Sequence, residues 1–188
     1  MADQTSTNTI TNPMAKTRRL VTNALFAALL AISAYFSFSL PLPGAPHVTM
    51  QNFFVFLIAL LFSVPDSVLI VLVWMLLGAI GLPVFIGGGA GLGYLIQPWG
   101  FYTVAFLFTA ALLPLIRGKL YNRIRFTIAA LIGMLVIDLS GMFYLMAMNH
   151  YDLTTGLTIG FLPFLPLDIL KAIVAAQIVP AFRRLINS

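Results

Sequence analysis

Six apolar runs dominate the chain, at residues 20–40, 50–64, 68–80, 101–116, 126–148 and 161–180. Runs near 20 residues match a helix that crosses a bilayer. The second and third are shorter, and about 15 residues of helix reach only ~22 Å against a hydrocarbon core of ~30 Å. They read as thin spans, as spans extended by their flanking loops, or as a re-entrant hairpin. PLPGAP (41–46) and SVPDS (63–67) turn the chain between runs. Residues 1–15 are polar, rich in Thr and Asn and without apolar periodicity, so they read as a disordered tail ahead of one domain at 16–188. Lys16, Arg18 and Arg19 precede the first run, which exceeds a signal-peptide core and is followed by others. It therefore predicts a retained first helix. The stretch 81–100, GLPVFIGGGAGLGYLIQPWG, holds seven glycines and two prolines yet stays apolar. Non-helical backbone at membrane depth is tolerated only where protein buries it or it lines a cavity.

Composition makes these runs a membrane protein. Of 188 residues, 61% are hydrophobic and 8% charged, too little polar material to cover a soluble domain. There is no cysteine and no glutamate, and the five acids are Asp3, Asp66, Asp138, Asp152 and Asp168. Disulfides, thiol catalysis and thiolate metal sites are thereby excluded. The net charge of +5 is not a nucleic-acid signature, because the basic residues sit at the edges of the runs rather than in one soluble patch. They fall in the N-terminal stretch, in the loop from Arg117 to Arg125, and at Arg183 and Arg184, with Lys171 the exception. Loops 41–50, 81–100 and 149–160 carry no Lys or Arg. The positive-inside rule then puts the first group in the cytoplasm and the second outside. The expectation is an all-α integral membrane protein, six transmembrane helices in one compact bundle, with both termini cytoplasmic.

The candidate chemistry centres on Asp168 and Lys171, three residues apart and on one helix face. Ionisable groups inside a span are costly and usually mark a ligand or ion path. A purely structural ion pair is the weaker reading, since desolvation makes such pairs poor stabilisers. At about 1.5 Å per residue both lie some 8–12 Å from the external end of the sixth run, within reach of an outside solute. GGGAGLG (87–93) has G-x-G spacing but lacks the strand and helix context of a nucleotide loop. Its glycines instead allow close approach of backbone to a ligand or a neighbouring helix. Ala24, Ala27, Ala28 and Ala31 give the first helix a small-residue face, for internal packing or for docking a partner. Asp138 reads as a satisfied interior group, and Tyr94, Trp99 and Tyr102 as interface anchors by default. Gln51 is a ligand donor or a helix cap, and His47 and His150 in external loops say little.

Three segments, VTMQNFF (48–54), LLGAIGLPVFIGGGAGLGYL (76–95) and LPFLPLDILKAI (162–173), resemble the BioY family, the biotin-binding S components of energy-coupling-factor (ECF) vitamin transporters. The family's Asp-x-x-Lys near the start of the sixth helix coincides with Asp168 and Lys171. The sequence departs from the family at Gly89, where a polar Asn or Ser often contacts biotin, and at QPWGFY (97–102), which replaces GPTGGY. The resemblance implies a substrate-capture subunit of a bacterial plasma membrane, with no catalytic residues, metal or cofactor of its own. It implies as partners biotin, a transmembrane coupling subunit and two cytoplasmic ATPases. Asp168 would accept the ureido N–H groups, and Lys171 would donate to the ureido carbonyl or the carboxylate. Gly88 and Gly89 would offer backbone groups, Tyr94 an apolar wall, and residues 41–51, including Gln51, the other side of the gate. Ala24, Ala27, Ala28 and Ala31 would form the face that docks on the coupling subunit.

The alternatives are an S component for lipoate or pantothenate, or a self-contained ion-coupled transporter. The latter expects inverted repeats, and none is visible. An enzyme finds few acid–base groups here, and a channel finds no rows of polar pore residues.

Overall fold

The computed structural model describes residues 13–39 and 47–187, and among them the chain is almost wholly helical. Helix α1 (Pro13–Ile32) runs into a 3-10 turn at Ser33–Tyr35 and then strand β1 (Ser37–Ser39). Strand β2 (His47–Thr49) pairs antiparallel with it, Phe38 opposite Val48. Next come α2 (Gln51–Leu61) and α3 (Val64–Ala79), then the glycine-rich stretch with the short α4 (Leu92–Leu95). The chain closes with α5 (Gly100–Ile116), α6 (Arg123–Asn149), α7 (Leu153–Gly160) and α8 (Leu165–Asn187).

Local chemistry explains the boundaries. Asn122 caps α6 by accepting from the Arg125 N–H (3.0 Å), and Asp152 caps α7 by accepting from Thr155 (3.3 Å). Hydrogen bonds from Thr155 hold the Asp152 carboxyl below its ordinary range. His150, in the left-handed region at φ 57°, ends α6.

Helix α2 is the hub. Val55 through Leu60 are all fully buried, because α1, α5, α6 and α8 pack around it. A helix apolar all round belongs in an interior, which accounts for an element of only 11 residues. Around it the outer faces are apolar too: Leu25, Leu76, Phe108, Ile128, Phe143 and Leu170 are exposed. So much outward apolar surface suits a lipid surround. Lipid gives no hydrophobic drive to helix association, so close packing at small residues must supply it. Gly133 lies against Leu113 and Thr109, and Gly141 against the Tyr102 ring, drawing α5 and α6 together.

Arg18, Arg117 and Arg183 gather at one end of the bundle. Arg18 donates to the Ile186 carbonyl, tying the start of α1 to the end of α8. Arg117 donates to the Ala59 and Phe62 carbonyls at the end of α2 (3.2 and 2.7 Å). Its guanidinium and that of Arg183 lie over the Phe126 ring, 5.5 and 5.1 Å from the centroid.

The sequence reading needs several corrections. Run 20–40 stops being helical at Ile32 and continues as the β1–β2 pair. Residues 13–15, assigned to the tail, form the first turn of α1, while residues 1–12 and the PLPGAP loop lie outside the described residues. The polar loop 149–160 contains α7. Among the described residues, α6 and α8 alone combine the length and apolarity to cross a membrane, whereas α2, α3 and α5 have 11, 16 and 17 residues.

Candidate ligand-binding site

At the end of the bundle away from the arginines, the helices part around a narrow cleft that is partly open to its surroundings. β2 brings His47, Val48 and Thr49, α2 brings Asn52, and the glycine-rich stretch brings Ile86, Tyr94 and Trp99. α5 adds Tyr102 and Phe106, α6 adds Ile137 and Asp138, the turn before α8 adds Phe164, and α8 adds Asp168. The walls are aromatic and aliphatic with a few polar groups, the usual make-up of a small-molecule site.

Asp168 occupies the first turn of α8, where unpaired N–H groups and the helix dipole favour a carboxylate. Residues 161–164 are turn rather than helix, so Asp168 is nearer the helix start than run 161–180 suggests. Lys171 Nζ donates to Asp168 Oδ1 and to the Thr49 carbonyl, each at 2.7 Å. Both side chains are buried. Lys171 therefore stands behind the acid and ties α8 to β2, while Asp168 faces the cleft. Asp138, on α6, lines the same cleft within electrostatic reach of both. It is 3% exposed, and its Oδ2 has no hydrogen-bond partner among the described residues.

The glycine-rich stretch forms a compact wall. Fully buried Phe85 packs edge-on to Trp74 (5.3 Å) and stacks on Tyr94 (5.0 Å). Trp74 Nε1 and Gln51 Nε2 both donate to the Val84 carbonyl (3.0 and 2.8 Å), anchoring the stretch to α3 and α2. Gly91 takes φ +83° and donates its N–H to Gly78 (2.7 Å), a turn a side chain would strain.

Of the residues expected at the site, Asp168 and Tyr94 line the cleft and Lys171 supports it. Gly88 and Gly89 do not line it. Their N–H groups are spent on Phe85 and Ile86 inside the turn (2.9 and 3.3 Å), and Gly89 abuts the Tyr94 ring. Gln51 is also off the lining, fully buried with its amide on Leu30 and Val84. Trp99 and Tyr102 belong to the wall rather than to an interface belt, and Tyr102 donates to the Gly160 carbonyl at 2.5 Å. Asp138 is a cleft residue and not a satisfied interior group. Asn52 was not singled out. Its Oδ1 accepts from Phe53 (3.0 Å), which leaves the NH2 as the group that can donate. Among the alanines, Ala24 and Ala28 are exposed, Ala31 is half-buried and Ala27 packs inward, with Ala24 and Ala27 lining a groove between α1 and α3.

The family model for BioY matches residues 5–188. A curated relative, "Biotin transporter BioY" of Thermotoga maritima, is 33% identical over 168 residues, covering 89% of this chain and 97% of that protein. "Probable biotin transporter BioY" of Pyrococcus horikoshii is 36% identical over 155 residues, covering 82% of this chain and 90% of that one. Among solved structures, the S-component for biotin from an ECF-type ABC transporter aligns with TM-score 0.83 at 26% identity. That alignment covers 92% of this chain and 94% of the other.

Proposed function

This chain belongs to the BioY family, and from that premise we propose that it is the substrate-binding S component of an ECF-type uptake transporter and captures biotin at the outer side of the membrane. One observation carries the reading: the buried carboxylate of Asp168, held from behind by Lys171, lies on the floor of an aromatic-walled cleft. Biotin is a mostly apolar molecule with a cyclic urea head. The Asp168 carboxylate accepts a ureido N–H, while Lys171 fixes that carboxylate and retains one N–H for the ligand. Tyr94 and Trp99 cover the apolar rings.

In this reading α1, α2, α3, α5, α6 and α8 are the six spans. The arginine-rich end faces the cytoplasm, with both termini, in a bacterial plasma membrane. The chain carries no Walker-type phosphate loop. Energy then comes from two cytoplasmic ATPases through a transmembrane coupling subunit, which docks on the exposed Ala24 and Ala28 side of α1.

The test is equilibrium binding of radiolabelled biotin to the purified chain, with unlabelled lipoate and pantothenate as competitors. Saturable binding that neither competitor displaces is the expected result. Displacement by lipoate or pantothenate reassigns the ligand, and uptake that persists in cells lacking every ATPase partner removes the ECF reading.

A further inference from the structure

Asp138 is the polar group of the cleft that the ion pair leaves out. It projects from the middle of α6, 3% exposed, and lines the same space as Asp168. Lys171 has committed hydrogen bonds to Asp168 and to Thr49, and none to Asp138. The Asp138 Oδ2 atom is buried without a partner among the described residues. Such an orphaned buried acceptor is costly and is rarely kept without a reason. The buried acid at the other end of the bundle, Asp66, has both carboxylate oxygens filled by Arg19, Asn23 and Ser63.

We infer that Asp138 is a ligand-contacting residue: its Oδ2 accepts a hydrogen bond from an N–H of the ligand head, so that two acids on neighbouring helices receive the two N–H groups of one cyclic urea. The inference rests on the biotin reading and deepens it. Two acceptors select a head group with two N–H donors. A ring without N–H groups, such as the dithiolane of lipoate, leaves both acids unanswered, and buried polar sites reject such analogues strongly.

The experiment is a double-mutant cycle between protein and ligand. Biotin and its two mono-N-methyl ureido analogues are titrated against wild type and the isosteric Asp138→Asn variant, each first shown to be monodisperse and thermally stable. Asp138→Asn is expected to weaken biotin at least about tenfold. One analogue should lose at least about tenfold on wild type and little on the variant. Equal biotin affinity in the two proteins overturns the inference, as do equal losses of both analogues in both proteins, which mark simple steric exclusion. Should Asp138→Asn not fold, wild type alone decides: both N-methylations must weaken binding, and tolerance of either one overturns the second acceptor. If wild type does not bind biotin at all, the ligand assignment itself falls and takes this inference with it, a result distinct from wild-type binding that Asp138→Asn leaves unchanged.

Discussion

Two buried acids at opposite ends of the bundle have opposite hydrogen-bonding states. Asp66, at the arginine-rich end, is saturated: Oδ1 accepts from Arg19 Nε (2.7 Å) and Asn23 Nδ2 (2.9 Å), and Oδ2 from the Ser63 hydroxyl (2.7 Å). Those bonds pin α1 to the α2–α3 junction. Among the described residues Asp168 has Lys171 alone as a side-chain donor, on one oxygen, and its neighbour Asp138 has an oxygen with none. A carboxylate with both oxygens filled fixes helices. An open one beside a cleft has valences for something else to fill, and similar residue types thus serve architecture at one end and recognition at the other.

The comparison breaks most visibly at Lys171. Lys171→Ala leaves a buried carboxylate without its cation and β2 without its tie to α8, at a cost of about 3–5 kcal/mol. Biotin affinity should fall at least about tenfold as well, both losses being read by thermal unfolding and titration in detergent. Asp66→Ala should lower stability by about 1–3 kcal/mol and leave biotin affinity at the wild-type value. A large affinity loss there erases the distinction between the two ends. Gly89→Ala sharpens it from the wall side. A methyl at that position overlaps the Tyr94 ring, so the ring must move, and biotin affinity should drop by about fivefold, ~1 kcal/mol. The smallest effect is expected on the outer face of α1. Ala28→Leu should not change biotin binding to the purified chain, yet should reduce uptake when the coupling module is present.

How much of this was legible in the sequence differs between the two halves of the argument. Helices α5, α6 and α8 follow from apolar runs, and the Asp168–Lys171 pair follows from spacing on one helix. Both are local signals. The β1–β2 pair was hidden because Ser37–Ser39 continues an apolar run, and tertiary pairing overrode that pattern. Helix α7 was hidden by its Thr and Gly content. The cleft itself is non-local. Asp138 and Asp168 lie thirty residues apart, and only α6 packing on α8 brings them to one space. A lone acid inside a span was the available signal for Asp138, and the absence of a second acid nearby in sequence obscured it. Gln51 illustrates the reverse error. It sits beside cleft residues in sequence, yet its NH2 group is spent on the Leu30 and Val84 carbonyls, holding the glycine-rich stretch.

The most direct test of the open-network claim is the dissociation constant for biotin of Asp168→Ala measured beside Asp66→Ala, both purified and folded. The account predicts at least about a tenfold loss, roughly 1.4 kcal/mol, for Asp168→Ala, and wild-type affinity for Asp66→Ala. Wild-type affinity in Asp168→Ala contradicts it.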